Sequence, residues 1–327
     1  MLYEQEKQVA ITAVTTAAKL CEQVRREQSS LVITKPDSSP VTVADFGAQA
    51  VICRALSEAF PTDRIIGEES SSLLRSPAMT EHLAQVTKYV QTQVTGATPE
   101  AVTDWIDRGN GKVEARYWTL DPIDGTKGYI RGDQYAIALA LVEDGEVKLG
   151  VLGCPALAAD TTQSASQRGA IFVAVRGQGA TMIPLGGGAP QPIQANSTDD
   201  SFLRLIESVE SRHGNLAMQE AVAQAVGLSA PILRLDSQAK YGVVARGEAA
   251  LYIRIPIPQA WDRKENTWDH AAGAIVVEEA GGRVTDIYGQ PLDFSFGTQL
   301  VNNQGIIASN GAIHQAVLAA VAQRIKN

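Results

Sequence analysis

Two carboxylates, Asp121 and Asp124, close an apolar run that starts at Trp118, with only Pro122 and Ile123 between them. The proline stiffens that spacing, and acids presented at a strand end suit hard divalent cations, which take oxygen ligands. Gly125 and Thr126 follow in a tight turn and open a segment, 127–132, able to start a helix. Backbone amides at such a start could hold a phosphate oxygen. Metal ions facing a phosphate are the apparatus of metal-assisted phosphoester hydrolysis. No serine or cysteine sits in a nucleophile elbow and no His–carboxylate arrangement stands out, which favours activated water over a covalent nucleophile.

Three more segments bear on the same chemistry. Gly67-Glu68-Glu69-Ser70 ends a strand-like run, Arg64-Ile65-Ile66. Trp268-Asp269-His270-Ala271-Ala272-Gly273 is followed by Glu279-Ala280-Gly281-Gly282, and Ser39-Pro40-Val41-Thr42-Val43-Ala44-Asp45 lies far upstream. Singly, each acid has a plainer account: a salt bridge for Glu68, helix capping for Asp45 and Asp269, and a helix cap likewise for Thr126. Together, in this order over nearly the whole chain, the four segments resemble the lithium-sensitive, Mg²⁺-dependent phosphatase superfamily of inositol monophosphatases, fructose bisphosphatases and bisphosphate nucleotidases.

The resemblance implies an α/β fold, an αβαβα layered sandwich with an α+β N-terminal half. It places the active site where a metal-binding part, residues 1–190, meets a substrate-binding part, residues 191–327. By motif, Glu68, Asp121 and the backbone carbonyl of Ile123 resemble ligands of a first Mg²⁺, and Asp121, Asp124 and Asp269 those of a second. A third ion near Glu68 is implied too, giving two to three Mg²⁺ per site. Converging carboxylates would repel one another strongly unless cations sat between them. The implied mechanism is direct attack by water, with Asp45 accepting from the Thr126 hydroxyl, which orients that water. Lys35 precedes this loop and can be read as helping to hold a metal-bound water or, equally, as a surface lysine.

Substrate choice rests on other residues. Lys127-Gly128-Tyr129-Ile130-Arg131-Gly132 resembles bisphosphate nucleotidases, as does Ser208-Val209-Glu210-Ser211-Arg212-His213. So does Leu235-Asp236-Ser237-Gln238-Ala239-Lys240-Tyr241, with Tyr252-Ile253-Arg254 downstream. Chemically, Lys240 offers a point charge and Arg254 a planar fork for the phosphate that the metals do not hold. Ser237 can donate a hydrogen bond and His213 can pack against a purine, while Gly125 and Thr126 hold the reacting phosphate. The implied reaction is hydrolysis of the 3′-phosphate of adenosine 3′,5′-bisphosphate, with 3′-phosphoadenylyl sulfate as a second substrate in sulfate assimilation. The alternatives are an inositol polyphosphate 1-phosphatase and a non-catalytic phosphate sensor; the latter is weakened by the presence of every core acid and Thr126.

The rest of the chain must position these groups. At 327 residues, 45% hydrophobic and 20% charged, it has material for a large core. A net charge of −8 argues against a nucleic-acid partner, leaving a small-molecule nucleotide and a monomer or homodimer. Cys21, Cys53 and Cys154 show no CxxC spacing and read as buried thiols of a reducing compartment. With no signal-like core in residues 1–7 and no run able to span a bilayer, no membrane association is expected and a cytoplasmic location is.

Apolar spacing predicts helices over 4–26 and 45–60, a helical insertion with a flexible connection over 71–116, and helices over 216–226, 238–246, 269–280 and 310–326. Asp144-Gly145 and Gly177-Gln178-Gly179 mark two hairpins, 136–152 and 170–183. Short strands are expected at 231–235 and 250–254, and a Gly/Pro-rich stretch over 184–192 reads as a subdomain boundary.

Overall fold

The computed structural model describes residues 2–27, 32–35, 38–158, 168–196, 202–210 and 214–325. The first part of the chain carries α1 (Glu4–Arg26), the paired strands β1 (Val32–Thr34) and β2 (Pro40–Thr42), α2 (Val43–Ala59) and β3 (Arg64–Gly67). Then come α3 (Thr80–Gln91), α4 (Pro99–Asp107), β4 (Arg116–Asp124), α5 (Thr126–Arg131), β5 (Ala136–Glu143) and β6 (Glu146–Ala158). β7 (Arg168–Val175), β8 (Ala180–Pro184) and β9 (Gln191–Pro192) complete a seven-stranded sheet of order β3-β4-β5-β6-β7-β8-β9. The remainder holds β10 (Leu205–Glu207), α6 (Leu216–Ala225), β11 (Leu233–Arg234), α7 (Ala239–Ala245) and β12 (Leu251–Arg254). It ends with α8 (Ala271–Glu279), β13 (Arg283–Thr285), β14 (Ile306–Ser309) and α9 (His314–Ile325), and its strands form a second sheet, β11-β10-β12-β14-β13.

Five layers follow from which faces are apolar. α1 and α2 pack on one face of the large sheet, and α7 and α8 fill the space between its other face and the five-stranded sheet. On the far side of the small sheet lie α6 and α9. The layered α/β sandwich is thus the observed fold. β5 shows how sequence sets the layer spacing: alternate side chains of a strand point to opposite faces. Ile137, Leu139 and Leu141 meet α1 and α2, while Ala136, Ala138 and Ala140 turn to the other side. Small residues on that side let α8 approach closely. A Cβ added at Gly150 of β6 would lie 2.4 Å from the Ile275 side chain.

Both hairpins form at their turn signals, Asp144 and Gly145 adopting φ of 50° and 77°. The stretch 71–116 is more ordered than its weak periodicity suggested. α3 and α4 pack on α2, burying Val86, Tyr89, Val90, Val102 and Ile106. The last helix starts at His314 rather than at Asn310, whose side chain accepts from the Ile313 amide at 3.3 Å. Cys21, Cys53 and Cys154 are buried and unpaired. Among the described residues no helix is long and apolar enough to cross a membrane.

Candidate active site

β3 runs parallel to β4 with Gly67 opposite Leu120, so the next residues along, Glu68 and Asp121, emerge side by side at the strand ends. The Glu68 amide donates to the Leu120 carbonyl at 3.1 Å and locks that register. Regular pairing of β4 with β5 breaks between Asp121 and Asp124. The irregularity brings Asp124 back toward Asp121, whose Oδ1 accepts from the Ile123 amide at 3.0 Å. Asp269 arrives from the turn before α8. Carboxylate oxygens of Asp121, Asp124 and Asp269 all lie within 4.8 Å of one another. Glu68, Asp124 and Asp269 line one cleft of about 260 Å³, and Asp121 is buried next to Asp124 and Asp269.

The electrostatics fit a cation site. Burial, then the neighbouring charges of Glu68, Asp124 and Asp269, pushes Asp121 far above the ordinary carboxylate range. Asp269 is raised in the same way, by burial and then by Asp124. Burial also raises Asp124, although Lys240 and the Gln238 amide pull in the opposite direction. So many acids sharing so few protein donors is an arrangement that oxygen-seeking divalent cations would relieve. Among the described residues Lys35 is the lysine that pairs with Glu68. Its Nζ lies 3.1 Å from Glu68 Oε1 and 2.7 Å from Glu69 Oε1, so it is part of the site's edge and not a surface lysine.

Asp45 and Thr126 meet as expected. Asp45 sits in the first turn of α2, where its Oδ2 accepts from the Thr42 amide at 2.8 Å and the Thr42 hydroxyl at 2.6 Å. Its other oxygen lies 3.2 Å from Thr126 Oγ1, which is also 3.1 Å from the Ile123 carbonyl. The capping role and the contact with Thr126 therefore coexist in one carboxylate. Asp45 does not reach the cleft; Thr126 does.

Ser237, Lys240 and Arg254 line the same cleft. Gly125 approaches Ser237 so closely that an added Cβ would lie 3.0 Å from the serine Cβ. Both residues adopt the left-handed region, Gly125 at φ 85° and Ser237 at 68°. Lys240 is almost fully buried on the first turns of α7. Its ammonium donates to the Ser237 carbonyl at 2.8 Å and lies 5.1 Å above the Tyr252 ring. Burial lowers it to about 8 against the pull of Asp124, which leaves it mostly protonated near neutrality. Arg254, at the end of β12, pairs with Glu265 at 2.9 Å. His213 lies outside the described residues.

Three contributors were not foreseen. Gln238 donates its backbone N–H to Asp124, and its side chain links the Trp268 carbonyl (2.8 Å) to the Gly273 amide (3.1 Å), tying α7 to the Asp269 turn. Gln49, one turn beyond Asp45 on α2, accepts from the Glu69 amide at 3.0 Å and steadies the Glu68 loop. Glu265 backs Arg254. The only sequence signal for Gln49 was its spacing from Asp45 on one helix, and Gln238 and Glu265 lay inside or beside quoted segments without a charge pattern to mark them.

The chain matches the inositol monophosphatase family over residues 2–326. It is 41% identical to the 3′(2′),5′-bisphosphate nucleotidase of Emericella nidulans, with 100% of each chain aligned. To the 3′(2′),5′-bisphosphate nucleotidase of Oryza sativa it is 42% identical over 99% of this chain and 95% of that one. Among solved structures, the Thermotoga maritima IMPase superposes with a TM-score of 0.66 at 22% identity, covering 98% of both chains, and shares the fold.

Proposed function

Because the chain belongs to the inositol monophosphatase family, a family of metal-dependent phosphatases, we propose that it hydrolyses the 3′-phosphate of adenosine 3′,5′-bisphosphate, releasing AMP and phosphate. One observation carries the substrate assignment: two cations, Lys240 and Arg254, line the same cleft as the carboxylates Glu68, Asp124 and Asp269. The metal ligands alone would serve a monoester. The added cations suit a second phosphate, and the full-length relatives bear the name of enzymes for such bisphosphates. The sulfated analogue, 3′-phosphoadenylyl sulfate, presents a similar anion to those cations.

Asp121, Asp124, Asp269 and Glu68, with the Ile123 carbonyl, are the groups that would hold two to three Mg²⁺. When bound, the ions would acidify a water and offset charge on the leaving oxygen. The chain's own residues do the rest. Asp45, fixed by both Thr42 donors, holds the Thr126 proton, so the Thr126 oxygen presents a lone pair to the attacking water. A proton passes from that water through Thr126 toward Asp45 as the new P–O bond forms. The bond from phosphorus to O3′ breaks, and O3′ leaves with a proton from solvent. Lys240 and Arg254 meanwhile keep the 5′-phosphate in place, and Ser237 donates to the substrate. Buried thiols are consistent with a reducing, cytoplasmic setting.

Phosphate release measured across adenosine 3′,5′-bisphosphate, its sulfated form, inositol 1,4-bisphosphate, inositol 1-phosphate and fructose 1,6-bisphosphate tests the reading. The highest kcat/KM is expected for the adenosine bisphosphate. A preference for inositol 1,4-bisphosphate would transfer the assignment to an inositol polyphosphate 1-phosphatase, and stoichiometric binding without release to a phosphate sensor.

A further inference from the structure

We infer that Glu265, which stands behind the cleft and not in it, is the positioning residue that aims the Arg254 guanidinium and thereby sets the preference for bisphosphates over monophosphates. The inference rests on the bisphosphate reading above and adds to it a residue that touches no substrate.

Arg254 lines the cleft beside Lys240 and Tyr252, whereas Glu265 is not among the lining residues. The carboxylate meets Arg254 through Nε, at 2.9 Å. Tyr252 hydrogen-bonds the same guanidinium from its own strand. A carboxylate paired this closely, with the tyrosine bonded as well, limits where the planar fork can present its remaining donors to a phosphate.

Glu265 is itself immobilised. Its other oxygen lies 3.5 Å from His270 Nε2, and His270 Nδ1 is 2.7 Å from the Tyr241 hydroxyl. The Glu265 carbonyl accepts from the Leu300 amide at 2.9 Å, and its side chain is only 12% exposed. A chain of contacts thus runs from Tyr241 on α7, through His270 and Glu265, to Arg254 on β12. It joins the helix that carries Lys240 to the strand that carries Arg254, so both cations are set by one connected group of buried polar side chains.

The alternative partner for Arg254 shows what Glu265 prevents. Polar atoms of Glu265, Asp269 and His270 lie within 4.8 Å of one another. After Glu265, Asp269 is the next carboxylate acting on Arg254. An arginine released from Glu265 would be drawn toward it and away from the second phosphate.

The test compares kcat and KM on adenosine 3′,5′-bisphosphate and adenosine 3′-monophosphate, at saturating Mg²⁺, for wild type, Glu265→Gln, Arg254→Ala and the double variant, each checked by thermal melting. Glu265→Gln is expected to cut kcat/KM on the bisphosphate about tenfold more than on the monophosphate, with the difference in KM, because misplacing one binding group by about 1 Å costs on that scale or more. In the Arg254→Ala background the same change should add nothing to that ratio, since Glu265 acts only through Arg254. Equal losses on both substrates, a change carried in kcat, or additive effects in the double variant would overturn the inference. If Glu265→Gln does not fold, Glu265→Asp, which keeps the charge but withdraws it from Nε, must shift the ratio in the same direction or the inference fails. Should Arg254→Ala itself fail to discriminate between the substrates, the bisphosphate reading falls first, and the two failures are told apart.

Discussion

Thr126→Ala is the sharpest probe of the proposed chemistry. The Thr126 hydroxyl reaches Asp45 at 3.2 Å and the Ile123 carbonyl at 3.1 Å. Both distances are long for O–H···O, so their direct contribution to stability is at the low end, about 0.5–1 kcal/mol. The fold should survive, because Asp45 keeps its two bonds from Thr42. Catalysis should not. A positioned proton acceptor is worth roughly 10²–10⁴ in rate, or about 2.7–5.4 kcal/mol of activation free energy at 1.36 kcal/mol per decade. We expect kcat to fall on the order of a thousandfold on every substrate, with KM changed by less than about threefold. Asp45→Asn should fall by a similar factor, and the double variant little further, because two members of one proton path are not additive. Thr126→Ser should restore most of the rate. Steady-state phosphate release with a melting curve for each variant decides it. A Thr126→Ala rate within a few-fold of wild type, or a double variant slower by the product of the single effects, refutes the pairing.

The other expectations are shorter. Asp124→Asn should reduce turnover by at least about a hundredfold while the protein stays folded, and chelation by EDTA should abolish wild-type activity until Mg²⁺ is returned; activity near wild type in that variant at moderate Mg²⁺ contradicts the ligand assignment. Lys240→Ala removes a buried cation that donates to the Ser237 carbonyl. One charge-assisted contact is worth roughly 1.5–3 kcal/mol, so kcat/KM on the bisphosphate should drop about ten- to a hundredfold, and far less on a monophosphate. Gly125→Ala places a Cβ at φ 85°, 3.0 Å from the Ser237 Cβ. The left-handed conformation alone costs a non-glycine residue about 1–2 kcal/mol, so a lowered melting temperature with a raised KM is expected, and a variant unchanged in both would show that this close approach is not required.

What could be read from the residue order was whatever repeats or carries charge. The apolar runs 136–142 and 147–152 on either side of Asp144-Gly145 announced a hairpin. The acids announced themselves by type and by a stiff Pro-Ile spacer. The small sheet was harder to read, since β10, β13 and β14 are only three or four residues long, too short for a period to show. For 80–107, tertiary packing against α2 supplied the order that the local pattern did not show. Gln49, Gln238 and Glu265 were unreadable for a different reason. Gln49 and Gln238 gain their meaning from partners 20 and 114 residues away in the chain, Glu69 and Asp124, and Glu265 from Arg254 on a separate strand.

Four helices begin at this cleft, and that arrangement accounts for how the protein tolerates its acid cluster. Asp45 lies in the first turn of α2, Thr126 is the first residue of α5, Gln238 caps α7, and Asp269 immediately precedes the residue that caps α8. Each helix start presents unsatisfied amides and at most about half a positive charge. The Gln238 amide bound to Asp124 is a direct instance. Four such ends offset about two charges at most, against Glu68, Asp121, Asp124 and Asp269 with Asp45 close behind. Lys240 adds one positive charge beside Asp124, whereas Lys35 is already shared between Glu68 and Glu69, and Arg254 is held by Glu265. The helix ends therefore suffice to aim the carboxylates but not to neutralise them. The remaining negative charge is what divalent cations would balance.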